Sequence, residues 1–414
     1  MTIDLHPEAE NLFLQVLLTP EGRADPYPLY EQIRAITPTF RTAMGPIVVT
    51  GYDDAMAVLR DPRLGRGAGG ADSGPLGALG ATQRRAEFFE QSSHNMLLAD
   101  PPDHTRLRQL VSRAFTGRRV EALVPAIRQL VDERLDAIAE SGEVDIMTAL
   151  ALPLPMAVIG ELVGVPAPDW DLLQPWVRAA AKGIEPILTD AETDEAIDAL
   201  ERLGAYFTDL LEQRRRRPQE DLLTGLAQSR EDDDRLTDDE VTSTAILLFA
   251  AGFETTTNLI GNGLLALLRD ANQLRRWQDD PTLGTTAVDE LLRWDSPVQL
   301  NLRAALEPAD LAGVPLEVGQ RIIVLQGAAN RDPARFAEPD RMDLGRTDNV
   351  PMSFGWGIHH CIGAALARAE GELALGGLLA RFTDIELLDN EPEWRASFTL
   401  RGLTSLPVRV SAVA

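Results

Sequence analysis

Phe354-Gly355-Trp356-Gly357-Ile358-His359-His360-Cys361-Ile362-Gly363 is the stretch around which the other readings of this chain are arranged. It holds the only cysteine among the 414 residues. Glycines at 355, 357 and 363 let the backbone turn tightly and approach a flat, bulky group that side chains would hold off. The residues that follow, Ala364 to Glu370, favour a helix. The thiol is therefore expected at a helix N-terminus, where the dipole and unpaired N–H groups favour the metal-binding thiolate. One thiolate cannot complete a zinc or iron–sulfur site, which takes about four ligands. It can serve as the single axial ligand of a haem. The residues alone also allow a small buried hydrophobe in an ordinary glycine loop. A tetrahedral metal site built from His359, His360 and Cys361 is poor geometry, because three consecutive side chains diverge.

The run resembles the haem-binding loop of the cytochrome P450 family, Phe-x-x-Gly-x-x-x-Cys-x-Gly, and matches it at Phe354, Gly357, Cys361 and Gly363. The resemblance implies haem b as cofactor, with Cys361 as the iron ligand and Phe354 and Gly363 beside it. A second stretch agrees with the first. Thr237-Asp238-Asp239-Glu240 is a capping box before an apolar run, opening a helix expected to last to about Asp270, roughly 45 Å at 1.5 Å per residue. In its middle stands Ala250-Ala251-Gly252-Phe253-Glu254-Thr255-Thr256-Thr257. Glycine and β-branched threonines are poor helix formers, and such a local conflict marks function. The segment resembles the family's oxygen-binding motif, Ala-Gly-x-Asp/Glu-Thr. The resemblance implies that Gly252 lets the helix open a groove, that Glu254 relays protons from solvent, and that the Thr255 hydroxyl assists loss of one oxygen atom as water. The residues themselves equally allow a kinked core helix whose Glu254 pairs with an arginine.

His104 and Arg108 are four apart on one helix face, where two donors suit a pair of carboxylates. The family holds the haem propionates at such positions, and Arg303 and His359 match two further partners. Without the cysteine loop, His104 and Arg108 would read as a solvated basic face. The same helix is expected to continue through Arg113, Arg118 and Arg119, a basic cluster suited to steering an acidic partner. The resemblance implies a ferredoxin or flavodoxin-like electron donor there. Scattered surface arginines are the plain alternative. Glu290 and Arg293, one helical turn apart, resemble the family's structural Glu-x-x-Arg, with Arg341 as the third member.

Other stretches carry organisation more than chemistry. A short helix is expected around residues 25–34, a strand at 47–50 and a helix at 53–60. The glycine-rich run from Gly65 to Gly80 reads as a loop. Leu123, Ile127, Val131 and Leu135 recur every fourth position, an amphipathic core helix. Ile146 to Val163 reads as one interior helix, and Trp170 to Arg217 as two helices with an irregular join near residues 183–189. That join holds Ile184, Pro186, Ile187 and Leu188, an apolar set suited to a greasy substrate. Val298 to Leu325 reads as strand-rich, and Phe398 to Leu403 as a hairpin.

Length alone suggests about two to four domains, but no Pro/Ser-rich linker or repeat divides the chain, which reads as one unit over residues 1–414. Hydrophobic residues make up 44% and the net charge is −25. That charge disfavours nucleic acid or an anionic membrane as partner. One cysteine excludes an intrachain disulfide and points to a reducing compartment. With no signal peptide or anchor visible, a cytoplasmic location is expected. The fold implied is mainly α, with a small β region and haem between the long central helix and the helix after Cys361. The reaction implied is activation of O₂ with electrons from NAD(P)H through a redox partner, and insertion of one oxygen atom into a small lipophilic substrate. A peroxide-using haem-thiolate enzyme and a non-catalytic haem sensor are the other classes. Neither needs the full set of Glu254, Thr255 and a donor-docking surface.

Overall fold

The capping box closes as expected in the computed structural model of the chain. The Glu240 N–H donates to the Thr237 hydroxyl at 3.2 Å and the Thr237 N–H donates to the Glu240 carboxylate at 2.8 Å. The helix it opens, Asp238–Arg269, is the longest of the described elements. Those elements lie within residues 3–67, 95–231 and 234–412. Most side chains from Phe253 to Leu267 are buried on every side of this helix, as expected of an element crossing the core.

Close packing holds the helix after the cysteine, Ala364–Arg381, against it. An added Cβ at Gly371 would come 3.0 Å from Leu259, and one at Gly263 would come 3.1 Å from both Leu291 and Leu375. Small residues here let the two helices approach at backbone distance. Ile127, Val131, Leu135 and Ile138, on the helix Gly117–Ser141, complete that side of the core.

The largest of the described sheets has five strands, in the order Thr39–Arg41, Ile47–Val49, Arg321–Leu325, Leu300–Ala305, Leu64–Gly65. Only the pairing of Ile47–Val49 with Arg321–Leu325 is parallel. Apolar clusters cover both faces, Phe13, Tyr30 and Ile33 on one and Val58, Leu316 and Phe336 on the other. The sheet holds Asn301 and Arg303 two residues apart on one strand, hence on one face.

Several expectations change. The basic cluster is not on one helix: Asp103–Ala114 ends at Phe115, and Thr116 caps the next helix, Gly117–Ser141. The apolar stretch from Ile146 is also divided. A wide turn at Met147–Ala151 precedes Pro153–Val163, because proline cannot donate to the preceding turn and is favoured at a first helical position. The tail segment forms no regular hairpin. It bridges Trp394 to Leu403 and docks through Leu400 on Val298. Gly65 belongs to a strand, and most of the glycine-rich run lies outside the described residues.

Candidate functional site

The cysteine loop is shaped by backbone that only glycine adopts easily. Gly355 and Gly357 have φ of 63° and 73°, and a Cβ at Gly357 would drive into the carbonyl oxygen of Leu59. The Cys361 N–H donates to the Phe354 carbonyl at 2.9 Å, closing the loop, and Arg108 donates to the His360 carbonyl at 2.7 Å. Arg368 lies over the Phe354 ring at 4.5 Å. Gly363 needs its small size less than its place: a Cβ there would meet the Cys361 sulfur at an ordinary 3.9 Å.

The Cys361 side chain is exposed, yet burial pushes its thiol up. Together these place the sulfur on an internal space. The Gly363 N–H, Arg108 and Arg368 pull the other way, but more weakly. The expected preference for thiolate at the helix start is thus outweighed by desolvation in the protein alone. A coordinated metal ion would deprotonate the thiol outright.

Beside the loop, the structure brings His104, Arg303 and His359 together with Arg108. The His104 and His359 rings stand 4.3 Å apart. Both His104 nitrogens, Nε2 of His359 and one terminal nitrogen of Arg303 are buried with no partner among the described residues. Unpaired buried polar atoms are costly, and so many around one space mark where an anionic, hydrogen-bond-accepting group fits. Burial pushes the His359 and His104 pKa values down, and the neighbouring arginines push them further. Both imidazoles are therefore neutral, each able to donate one N–H. The residues present fit the two carboxylates of a haem.

Two residues absent from the sequence reading join this group. The Asp100 carboxylate accepts from the backbone N–H groups of Arg66, at 2.6 Å, and Gly67, at 2.8 Å. The Arg66 guanidinium reaches the Asn301 side chain at 3.0 Å. They lie in the segments that flank residues 68–94, and no local spacing links them to Arg303.

On the long helix, Ala251 is exposed and Thr255 half-exposed, although their neighbours from Phe253 onward are buried. One helical turn is therefore left uncovered by the packing around it. The Thr255 hydroxyl donates to the Ala251 carbonyl at 2.8 Å. Gly252 opens no break, since the helix is continuous. It turns to Ile159, which an added Cβ would approach to 2.8 Å, so close packing of two helices accounts for the glycine. Glu254 does not join Thr255. It is buried and ion-paired with Arg395, with Arg178 at 3.9 Å. The paired alternative is what the structure contains, with two arginines that both reach partly exposed positions.

Glu185, in the join between helices Trp170–Lys182 and Asp190–Arg216, is buried. It accepts from the Ser397 hydroxyl and from the N–H groups of Phe398 and Thr399. The carboxylate thereby pins the join to the tail segment, a role that the apolar reading of the join did not include.

Glu290 and Arg293 are fully buried and joined by bonds of 2.7 and 2.8 Å. The third member is a correction. Arg341 turns outward to Glu338, and Arg346 takes its place 3.2 Å from Glu290. Arg341 contributes its carbonyl oxygen, an acceptor for both Arg293 and Arg346. A residue count could not choose between two arginines five apart.

Among the described residues no cluster of histidine, cysteine and carboxylates could hold a metal ion by itself, and no helix is long and apolar enough to cross a membrane. A family model described as Cytochrome P450 matches residues 156–280 and 282–409. The chain is 41% identical to the cytochrome P450 monooxygenase PikC of Streptomyces venezuelae, over 93% of this chain and 91% of that protein. It is 39% identical to 6-deoxyerythronolide B hydroxylase of Saccharopolyspora erythraea, over 93% and 96%. Among solved structures, P450BioI in complex with an acyl carrier protein carrying hexadec-9Z-enoic acid superposes with a TM-score of 0.88 at 35% identity, over 95% of this chain and 99% of that one.

Proposed function

The chain belongs to the cytochrome P450 family and is a monooxygenase of it, and from that premise we propose which residues perform the reaction and on what class of substrate. Cys361 ligates the haem iron, Phe354 and Gly363 shape the loop beneath it, and His104, Arg108, Arg303 and His359 hold the propionates. Bound there, haem supplies the reductive activation of O₂, one atom of which enters the substrate while the other leaves as water. The observation that carries the oxygenase reading is Thr255, a half-exposed hydroxyl within a helix stretch that is otherwise buried from Phe253 to Leu267. With its proton engaged by the Ala251 carbonyl, Oγ1 turns lone pairs to the cavity. It can accept a hydrogen bond and hold a proton-carrying water in place. Glu254 takes up protons from outside on its own carboxylate, and its ion pairs with the partly exposed Arg178 and Arg395 hold that carboxylate between solvent and the helix turn. Gly252 allows the close helix packing that positions this turn.

The substrate proposed is a lipophilic secondary metabolite of the macrolide class. Its support is the substrate in the name of the relative 6-deoxyerythronolide B hydroxylase and the apolar join at residues 183–189, where Ile187 is exposed and Ile184 and Leu188 half-exposed. Electrons come from NAD(P)H through a ferredoxin or flavodoxin-like donor. Arg113 and Arg118, both exposed, and Arg119 offer it a basic face in a strongly acidic protein. The lone cysteine supports a cytoplasmic setting.

Thr255→Ala tests the reading. NAD(P)H consumption is expected to continue while product per NAD(P)H falls by roughly ten-fold or more and hydrogen peroxide rises to match. Unchanged coupling would remove Thr255 from the mechanism.

A further inference from the structure

The strand pairing next to the propionate pocket brings two arginines together. Leu64 stands opposite Ala305 and Gly65 opposite Ala304 in an antiparallel pair. Carried on by one residue, the register sets Arg66 opposite Arg303, with both side chains on the same face. The hydrogen bonds agree: Nη1 of Arg66, at 3.0 Å, and Nη1 of Arg303, at 2.5 Å, donate to the same oxygen, Oδ1 of Asn301. Like charges directly opposite one another on a sheet repel, and burial makes the repulsion stronger.

Within the described residues, little relieves it. Nε of Arg66 and Nη2 of Arg303 are both buried without a partner. The nearby carboxylate, Asp100, is occupied by the backbone N–H groups of Arg66 and Gly67. Three guanidinium groups, Arg66, Arg108 and Arg303, against that one carboxylate leave two positive charges. Two further carboxylates would neutralise them.

We propose that Arg66 is a further cofactor-holding residue, sharing one haem propionate with Arg303 through their two unpaired guanidinium nitrogens. This rests on the cytochrome P450 reading above and adds a residue to it. Arg66 enters from the edge strand Leu64–Gly65, whereas Arg303 is on Leu300–Ala305, His104 and Arg108 on Asp103–Ala114, and His359 on the cysteine loop. The dianion is thereby tied to the edge of the sheet as well as to the helical side. Asn301, accepting from both, holds the two guanidinium groups side by side.

The test uses the full-length holoprotein with Arg66→Gln and Arg66→Lys. Asp100 grips the backbone of residues 66 and 67, so that anchor survives both substitutions. Haem loss is followed by transfer to an excess of apomyoglobin, and the reduction potential by spectroelectrochemistry. For Arg66→Gln, haem transfer should be roughly ten-fold or more faster and the potential lower, since removing a positive charge favours the ferric state. Arg66→Lys, which keeps the charge, should stay near the parent in potential. Parent-like haem loss and potential in Arg66→Gln would overturn the proposal. So would equal effects of both substitutions accompanied by equal loss of melting temperature in haem-free protein, which would show a structural role. A parent protein with no thiolate-ligated haem would overturn the family site itself, and a carbon monoxide spectrum of the parent distinguishes that case.

Discussion

Arg293→Ala is expected to produce protein that is destabilised by about 3–5 kcal/mol and emerges largely without haem. Arg293 is fully buried and donates to both Glu290 oxygens, to the carbonyls of Asn330 at 3.0 Å and Pro339 at 2.8 Å, and to that of Arg341 at 3.4 Å. Removing it leaves Glu290 a buried carboxylate whose remaining cation is Arg346, and it strips the Asn330 and Pro339 carbonyls of this donor. The damage propagates along a traceable route. Asn330 donates to the Ser353 hydroxyl at 2.9 Å and accepts from the Met352 N–H at 2.6 Å. Ser353 in turn donates to the Leu292 carbonyl. Phe354 follows directly, and its carbonyl closes the cysteine loop. Arg293→Lys keeps the charge but loses the planar fork and should recover little of the loss. Haem content after purification and a chemical-denaturation curve check this. Full haem occupancy with a near-parental midpoint would contradict the chain of contacts.

The second large effect concerns Glu370, nine residues beyond Cys361. Its carboxyl is buried with one oxygen unpaired, and burial raises its pKa from 4.5 to about 8. Because the folded pKa exceeds the unfolded one, the sign is fixed. Below pH 4.5 both states are protonated and the group makes no difference. Between pH 4.5 and about 8 the unfolded chain releases a proton that the folded protein keeps, so stability falls by about 1.4 kcal/mol per pH unit. The full loss, on the order of 4–5 kcal/mol, is reached above the folded pKa. Glu370→Gln is neutral throughout and should remove this slope. The variant is therefore expected to be near or slightly below the parent at pH 5 and clearly more stable at pH 8.5. Urea midpoints of both proteins across that range provide the measurement. Parallel curves would mean that the carboxyl finds a partner or water in the folded protein.

What could be read from the sequence is what local chemistry decides. The capping box at Thr237, the four-residue period of Ile127, Val131 and Leu135, and the glycines around Cys361 each act within a few residues of themselves. Each appears in the structure as the pattern requires. The residues missed are those whose partners are distant in the chain. Arg66 meets Arg303 only because Leu64–Gly65 pairs with Leu300–Ala305, and no residue between 66 and 303 announces that pairing. Arg346 displaced Arg341 for the same reason: both lie in irregular chain near Glu290, and only the folded path says which side chain turns inward. Glu254 shows a different limit. A motif names the residue, but its neighbours Arg178 and Arg395 come from the helix Trp170–Lys182 and the tail segment, and they set where the carboxylate rests. Glu370 sits on a helix that reads as ordinary, and its burial follows from close packing against the long central helix.

The central claim is that Cys361 is the axial ligand of a haem held by the surrounding cationic pocket. The most direct measurement is the visible difference spectrum of the dithionite-reduced protein with and without carbon monoxide. A Soret band displaced far to the red, and lost in Cys361→Ser, is the predicted result. A band at the position of histidine-ligated haem, or no haem at all, would contradict it.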